Sequence, residues 1–564
     1  MVWKRRIRNR RKGIELNPDE ILLDARNLPQ FDEQQFEGRI EQPISKRTFQ
    51  GIGIFLLFVG ICFVGRLGVL QIAKGAFYEK KSEQNSLDHV PLFADRGVIY
   101  DRNGVELAWN SSRGEGEPLV RSYTGTPGFS GLLGYVSYPA KDAKGVFWQF
   151  ATIGKDGIEK DFDTALAGSN GTRLVETDVS GNILSENMID SPIQGSNIEL
   201  SIDAGMQEAL YRNIVSLAEQ SGYIGGAGAV MDISTGELLA ITTYPEYNQT
   251  ILSEGEDKET IQSYLTSSAR PFLFRMTEGL YTPGSIVKPF LALGALQEGI
   301  ITPQTVIFSS GELRFPNPYA LGTYTIFRDN AAHGAVDLAH ALAVSSNIYF
   351  YEIGGGFGAQ QGLGIERINK YLSLFGIGQD TGINISGELE GTIPSVEWKA
   401  TRFPGDPWRI GDTYNTSIGQ YGFQVTPIQM LRAVASIAAR GTLVQPTIFK
   451  IPTGEGAISS NKLPIDDAYY SAVQNGMRLA VTDGTARALQ NPSIPVAAKT
   501  GTAQIKGNTR VNSWAIGFFP SNAPKYAFVV LMEDGPKVSS GAANAFKGVL
   551  TYLAEKEGAA SVDE

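Results

Sequence analysis

Tyr281-Thr282-Pro283-Gly284-Ser285-Ile286-Val287-Lys288-Pro289-Phe290 runs a Pro-Gly turn into a serine and then into an apolar series, Ile286, Val287, Phe290, Leu291 and Leu293. That pattern predicts a buried helix beginning at Ser285, with the serine in its first turn. Lys288 follows three residues later, so its side chain and that of Ser285 share a helical face. A serine hydroxyl is a weak nucleophile until a base takes its proton. A lysine one turn away serves as that base when burial or a second cation holds it partly neutral. The pairing alone is not specific. Ser459-Ser460-Asn461-Lys462 has the same spacing, but it follows Pro452-Thr453-Gly454 in a Gly/Ser/Asn-rich stretch and reads as a solvated loop.

Two further motifs follow in order. Ser345-Ser346-Asn347 stands sixty residues after Ser285, before the apolar aromatic run Ile348-Tyr349-Phe350-Tyr351. Lys499-Thr500-Gly501-Thr502-Ala503 falls on a strand near the C-terminal end. Ser-x-Asn is cheap by itself, since Ser180-Gly181-Asn182 and Ser185-Glu186-Asn187 also match, whereas Lys-Thr-Gly occurs once. Order and spacing together carry the weight. Composition narrows the remaining classes. A chain of 564 residues holds two or three domains, and 42% hydrophobic with 19% charged residues is globular rather than disordered. A net charge of −10, with no basic patch interleaved with aromatics in the body, argues against nucleic-acid binding. Cys62 is the single cysteine, so there is no intrachain disulfide and no cysteine-based zinc site. A three-histidine centre would need His89, His333 and His340 from distant places, and no His-Glu-x-x-His, Walker A or complete Gly-x-Gly-x-x-Gly occurs.

Working outward, residues 1–48 are polar, with a basic cluster at Lys4, Arg5, Arg6, Arg8, Arg10, Arg11 and Lys12, and read as a membrane-proximal tail. FQGIGIFLLFVGICFVG, residues 49–65, carries no charge; Arg66 follows, and residues 67–73 are again apolar. Helical residues rise ~1.5 Å each, so this run nearly crosses a ~30 Å hydrocarbon core, and Arg66 can snorkel. The segment starts late and has no small-residue cleavage site, so residues 49–73 are expected to be an uncleaved signal anchor. Arg39, Lys46 and Arg47 on one side balance Arg66, Lys74, Lys80 and Lys81 on the other, and the cluster at 4–12 tips the tail inward. Residues 74–205 are expected to form a β-rich pedestal, in which Arg96-Gly97-Val98-Ile99-Tyr100-Asp101-Arg102-Asn103-Gly104-Val105 reads as a hairpin. Gly157-Ile158-Glu159-Lys160-Asp161-Phe162-Asp163 precedes a short helix at 164–166; its three acids lack a glycine-centred calcium loop and read as structural. Leu200-Ser201-Ile202-Asp203 leads into a helix over 206–218. Strands at 227–232 and 237–242 flank Ser234-Thr235-Gly236 as a hairpin, and helices alternating with turns are expected up to about residue 440. Strands at 513–519 and 526–532 and a helix at 542–554 follow, with 556–564 as a flexible tail. Strands from both ends with helices between them predict a mixed α/β (α+β) domain over 206–555, its antiparallel sheet assembled from distant segments.

Along nearly its whole length after the tail, the chain resembles the class B penicillin-binding proteins. The likeness rests on the single anchor, the 96–104 segment, Leu200-Ser201-Ile202-Asp203, Pro283-Gly284-Ser285, the Ser345 and Lys499 motifs, and Gly419-Gln420 with Val425-Thr426-Pro427-Ile428-Gln429. Residues 408–429, with Gly411-Asp412-Thr413 and Ser417-Ile418-Gly419-Gln420, are more similar to the elongation-type penicillin-binding protein 2 subgroup than to the division-type one. The anchor leads directly into the β-rich region, without the glycosyltransferase domain of class A. The resemblance implies a pedestal of the dimerisation or partner-binding type and a peptidoglycan D,D-transpeptidase that cross-links donor and acceptor stem peptides. Such an enzyme is a β-lactam target, uses no metal or organic cofactor, and works outside the cytoplasmic membrane beside a SEDS-family membrane glycosyltransferase. It implies that Ser285 attacks the penultimate D-Ala carbonyl and Lys288 takes the proton. Lys499 lowers the pKa of Lys288 and attracts the substrate carboxylate, Ser345 relays a proton to the leaving amine, and Asn347 holds Lys288 and the substrate amide. Backbone N–H groups of Ser285 and Thr502 form the oxyanion hole, and Thr500, Gly501 and Thr502 bind substrate, the threonine hydroxyls on its carboxylate. Phe274-Arg275-Met276 departs from the usual Asn-Arg-Ala, and Ala498 from the glycine that commonly precedes Lys-Thr-Gly; His333 reads as structural. Two other readings share the fold. A D,D-carboxypeptidase or β-lactamase would pass the acyl group to water, which the anchor and the long 74–205 region disfavour. A scaffold or activator of a membrane glycosyltransferase, or a β-lactam sensor, would not need the full catalytic set.

Overall fold

In the computed structural model, which describes residues 45–78, 87–112, 119–143, 147–177, 183–317, 322–505, 509–538 and 541–560, the first described element is the expected apolar helix. The basic cluster at 4–12, Lys80, Lys81 and Ser180-Gly181-Asn182 lie outside the described residues. The Ser45 hydroxyl accepts the Thr48 N–H at 3.2 Å and caps α1, Lys46–Gly68, which continues through the wider turn Val69–Ala73. None of α1 is buried, and Phe49, Leu57, Phe63 and Val64 stand fully outward. Side chains of that kind stay outward where lipid is the solvent. The 28 residues Lys46–Ala73 span roughly 42 Å at ~1.5 Å each, enough for a single-pass membrane anchor. The chain divides into two compact units, Met1–Asp88 with Thr177–Asn182, and His89–Glu176 with Ile183–Glu564.

Within the second unit the pedestal hairpin forms as expected. Strands β1, Ile99–Tyr100, and β2, Glu106–Ser111, pair antiparallel, and β3, Val120–Tyr123, extends them. Asp101 closes the turn by accepting the N–H groups of Asn103 and Val105 at 2.7 and 2.9 Å, an Asx-type turn. Gly157–Asp161, read as a lead-in, is itself a helical turn, α2. Its Glu159 is fully buried and accepts Arg96 Nε at 2.5 Å and Arg121 Nε at 2.6 Å. Asp163 pairs with Arg96 and Asp161 accepts from Ser386, so these acids are structural; among the described residues no cluster suited to a metal occurs. Strand β4, Ile198–Glu199, runs parallel to β1.

Asp203 caps α3, Ala204–Ser221, and the chain then enters the hairpin β5, Gly225–Asp232, and β6, Leu238–Tyr244. In order follow α4, Lys288–Gln297; β7, Glu312–Pro316, and β8, Tyr324–Arg328; α5, Leu338–Val344; α6, Asn347–Gly355; α7, Pro427–Ala438; and α8, Asp467–Asp483. The region expected to be helices and turns therefore holds a hairpin, in which polar Glu312 and Arg314 alternate with Leu313 and Phe315. Strands β9, Ala497–Ile505, β10, Arg510–Phe519, and β11, Tyr526–Gly535, precede a short 3₁₀ turn and α9, Lys547–Ala560. One antiparallel sheet results, ordered β6-β5-β11-β10-β9. Both faces are buried. Ala527, Val529 and Leu531 pack with Phe290, Leu291 and Leu431 of the α4 and α7 layer, while Phe528, Val530 and Met532 pack with Leu210, Ile214 and Val549 of α3 and α9. The period-2 alternation of one strand thus feeds two helical layers and leaves β9 at the sheet edge. The second Ser-x-x-Lys match is no loop: Ser460–Lys462 is an exposed strand paired with Thr442–Val444.

Candidate active site

The Ser285 turn is held by close backbone approach. Gly284 has φ +60° and opens a 3₁₀ turn, Gly284–Val287, that passes into α4. Its N–H donates to the Gly419 carbonyl at 2.9 Å, and a Cβ on Gly419 would lie 2.2 Å from the Gly284 oxygen. The family-like Gly419-Gln420 run is therefore the wall of the turn, and Gly419, at φ +73°, admits no side chain. On the other side Gly501 of β9 comes so near that a Cβ would sit 2.9 Å from Ile286 Cγ2 and 3.0 Å from the Pro283 oxygen. Trp514 on β10 donates its indole N–H to the Thr282 carbonyl at 3.0 Å. Ser285 is left half-buried, with Lys288 one turn on.

Lys288 and Lys499 are both fully buried, and both reach Ser345. Lys288 Nζ donates to the Ser345 carbonyl and Asn347 Oδ1 at 2.8 Å each and to Ser345 Oγ at 3.3 Å, with the Phe350 ring centroid 5.4 Å away. Lys499 Nζ donates to Ser345 Oγ at 2.8 Å and to the Thr500 carbonyl at 2.8 Å. Ser345 is presented by its left-handed backbone, φ +61°, between the end of α5 and the start of α6. Burial draws Lys288 down to about 7 against an opposing pull from the Asp329 carboxylate. Lys499 is also lowered well below the usual lysine value, first by burial and then by the charge on Lys288. Burial is the largest cause for both amines, and the two charges oppose one another. Thr500 and Thr502 share one parity of β9; the Thr500 hydroxyl donates to Thr485 Oγ1 at 2.7 Å, and Thr502 is exposed. The fold thus brings Ser285, Lys288, Ser345, Asn347, Lys499, Thr500, Gly501 and Thr502 to one locus. Chemically it pairs a half-buried hydroxyl with an amine, Lys288, able to accept a proton near neutral pH.

Sequence reading missed two neighbours. Asp329 accepts from Ser346 and from the Asn347 N–H, and Thr485 bonds Thr500 while its N–H meets the Ala343 carbonyl at 3.1 Å. Neither has a local pattern; Asp329 only ends an alternating strand. His333 pairs with Asn330 at 2.6 Å. Of the departures from the family pattern, Phe274 and Met276 pack in the α4-side cluster on either side of the fully buried Arg275, which bonds Glu533 at 2.6 Å, and Ala498 packs in the α3-side cluster.

A five-stranded sheet carrying a Ser-x-x-Lys turn, a Ser-x-Asn turn and a Lys-Thr-Gly edge strand is the arrangement of a penicillin-binding transpeptidase domain. Residues 226–551 match the penicillin-binding protein transpeptidase domain and residues 117–200 the penicillin-binding protein dimerisation domain. The chain belongs to the penicillin-binding protein transpeptidase family, with the class B pairing of these two domains. It is 31% identical to the peptidoglycan D,D-transpeptidase MrdA of Acinetobacter baumannii over 77% of this chain and 66% of that one. It is 27% identical to MrdA of Escherichia coli over 86% of this chain and 90% of the relative. Among solved structures, PBP2 of Pseudomonas aeruginosa in complex with WCK 5153 has a TM-score of 0.67 and 31% identity, covering 82% of this chain and 96% of that one. PBP2 of Helicobacter pylori, solved in complex with MreC, has a TM-score of 0.67 and 26% identity, covering 83% and 99%.

Proposed function

We propose that this chain is a membrane-anchored peptidoglycan D,D-transpeptidase of the elongation type, acting through a serine acyl-enzyme and inhibited by β-lactams. The observation that carries the reading is the convergence of two buried amines on Ser345 Oγ, one of them, Lys288, one turn from Ser285. Ser285 Oγ attacks the carbonyl carbon of the penultimate D-Ala of a donor stem, and its proton passes to Lys288 Nζ. The C–N bond to the terminal D-Ala breaks, its nitrogen takes a proton relayed through Ser345 Oγ, and an ester on Ser285 remains. An acceptor-stem amine then attacks the ester and Ser285 regains its proton. Asn347 holds Lys288 and the substrate amide. The N–H groups of Ser285 and Thr502 face the oxyanion, a contribution of about 3 kcal/mol. Lys499 and the Thr500 and Thr502 hydroxyls take the terminal carboxylate, and a carboxylate beside Lys499 returns its proton.

The same reading divides the chain into a tail at 1–48 on the inner side, an anchor at 49–73, an external pedestal at 74–205 and a transpeptidase domain at 206–555. A SEDS-family glycosyltransferase is the expected membrane partner, and the complex of Helicobacter pylori PBP2 with MreC supports assembly with partner proteins. Labelling with a fluorescent penicillin, followed by mass spectrometry, tests the chemistry. A covalent adduct on Ser285, absent from Ser285→Ala, is expected. Cross-linking retained by Ser285→Ala in a reconstituted assay rejects the mechanism.

A further inference from the structure

Asp329 lies outside all three motifs, yet its carboxylate is wholly buried where two of them meet. It follows directly on β8, and both oxygens are engaged. Oδ2 accepts the Ser346 hydroxyl at 2.6 Å, the Ser309 hydroxyl at 2.8 Å and the Ile348 N–H at 3.1 Å. Oδ1 accepts the Asn347 N–H at 2.6 Å and the Asn330 N–H at 2.8 Å. The first N–H groups of a helix have no partner inside it, so α6 receives from this one side chain both its acceptors and a negative charge at its positive end. Immediately before lies Ser345, in its left-handed conformation, with its carbonyl and hydroxyl taken by the lysine amines. The carboxylate grips the 345–347 turn at one end, and the amines grip it at the other.

We propose that Asp329 is a positioning residue for acylation, holding the 345–347 turn so that Asn347 and Ser345 keep Lys288 directed at Ser285. The inference rests on the acyl-enzyme reading above. Burial pushes Asp329 up, but its donors, Ser346, Asn347, Ile348 and Ser309, outweigh burial and hold it below the usual carboxylate range. It is therefore charged at neutral pH, and that charge favours the protonated form of Lys288. The other charged group at Lys288 is Lys499, on β9, whose proton opposes that of Lys288. His333 Nε2 stands 4.0 Å from Asp329 Oδ1.

The test is the rate of acylation by a fluorescent penicillin as a function of pH in the full-length protein, with melting curves for each variant. Asp329→Asn keeps the shape and removes the charge. It is expected to acylate about 10²-fold more slowly, the cost of a displaced catalytic group. Its acidic limb is expected to move to lower pH, because Lys288 loses the charge that favours its protonated form. Ser346→Ala removes one bond and leaves the carboxylate ionised, so it is expected to slow acylation about tenfold with the limb in place. A wild-type rate in Asp329→Asn overturns the proposal, as does a slowing that only tracks lost folded protein with an unmoved limb. If Asp329→Asn does not fold, a wild-type rate in Ser346→Ala overturns it, and a slowed rate at unchanged melting temperature supports it. Absence of any adduct on wild-type Ser285 would instead reject the acyl-enzyme reading itself.

Discussion

At an ordinary lysine pKa of ~10.4, about one amine in 2,500 is neutral at pH 7. Burial brings Lys288 to about 7, where about half is neutral. A base works in its neutral form, so lowering the pKa extends activity toward acid. Acylation is expected to fall about tenfold per pH unit below that point and to level off above it. Stopped-flow labelling between pH 5 and pH 9 reads this, and a flat rate from pH 5 to pH 8 rules Lys288 out as the base. Thr485 is expected to act on binding instead. Its Oγ1 accepts the Thr500 hydroxyl, so Thr485→Val frees that rotor and raises KM for a D-Ala-D-Ala peptide about two- to tenfold with kcat retained, as loss of one hydrogen bond predicts. A fall in kcat at constant KM would contradict this. Ser285 and Lys288 were legible in the sequence because their chemistry is three residues apart. Thr485 and Asp329 were not, because their partners are brought to them only when the Ser345 turn packs against β8 and α8.

Elements show the same division between local pattern and tertiary pairing. The β5–β6 hairpin, β10 and β11 stood out by their apolar runs, and each proved longer than its pattern because the neighbouring strand continues to offer partners. The β7–β8 hairpin went unread because its alternating side chains are half exposed and its turn carries no short glycine signature. That Lys-Thr-Gly needs its glycine was legible as a motif; the reason was not. Gly501 lets β9 lie against the Ser285 turn with no side chain between them. Gly501→Ala is expected to push the edge strand outward and slow penicillin acylation at least tenfold, with a small change in melting temperature. Gly456→Ala, where nothing lies within reach of a Cβ, is the control and should acylate normally. Equal rates in the two variants would show that strand–turn distance does not govern the site.

For the whole molecule, the decisive contacts join residues too far apart to leave a sequence signal. Glu533 at the end of β11 bonds the buried Arg275, 258 residues earlier, and also exposed Arg270. Glu533→Ala strands a buried guanidinium and is expected to cost about 3–5 kcal/mol, whereas Arg270→Ala costs about 1 kcal/mol or less. Comparable melting temperatures for the two would refute that ranking. The anchor is the opposite case, legible from composition alone. Both buried clusters, the five-stranded sheet and the two buried amines, Lys288 and Lys499, draw on residues beyond position 88, and α1 contributes no buried side chain. Deleting residues 1–78 should therefore remove membrane attachment without touching the core. The truncated protein is expected in the soluble fraction without detergent, with melting temperature and penicillin acylation close to those of the full chain, which itself needs detergent for extraction. Truncated protein that stays with membranes after alkaline washing would show a second attachment and deny α1 the role of sole anchor. Soluble protein that no longer acylates would mean that the residues before 79 also support the site.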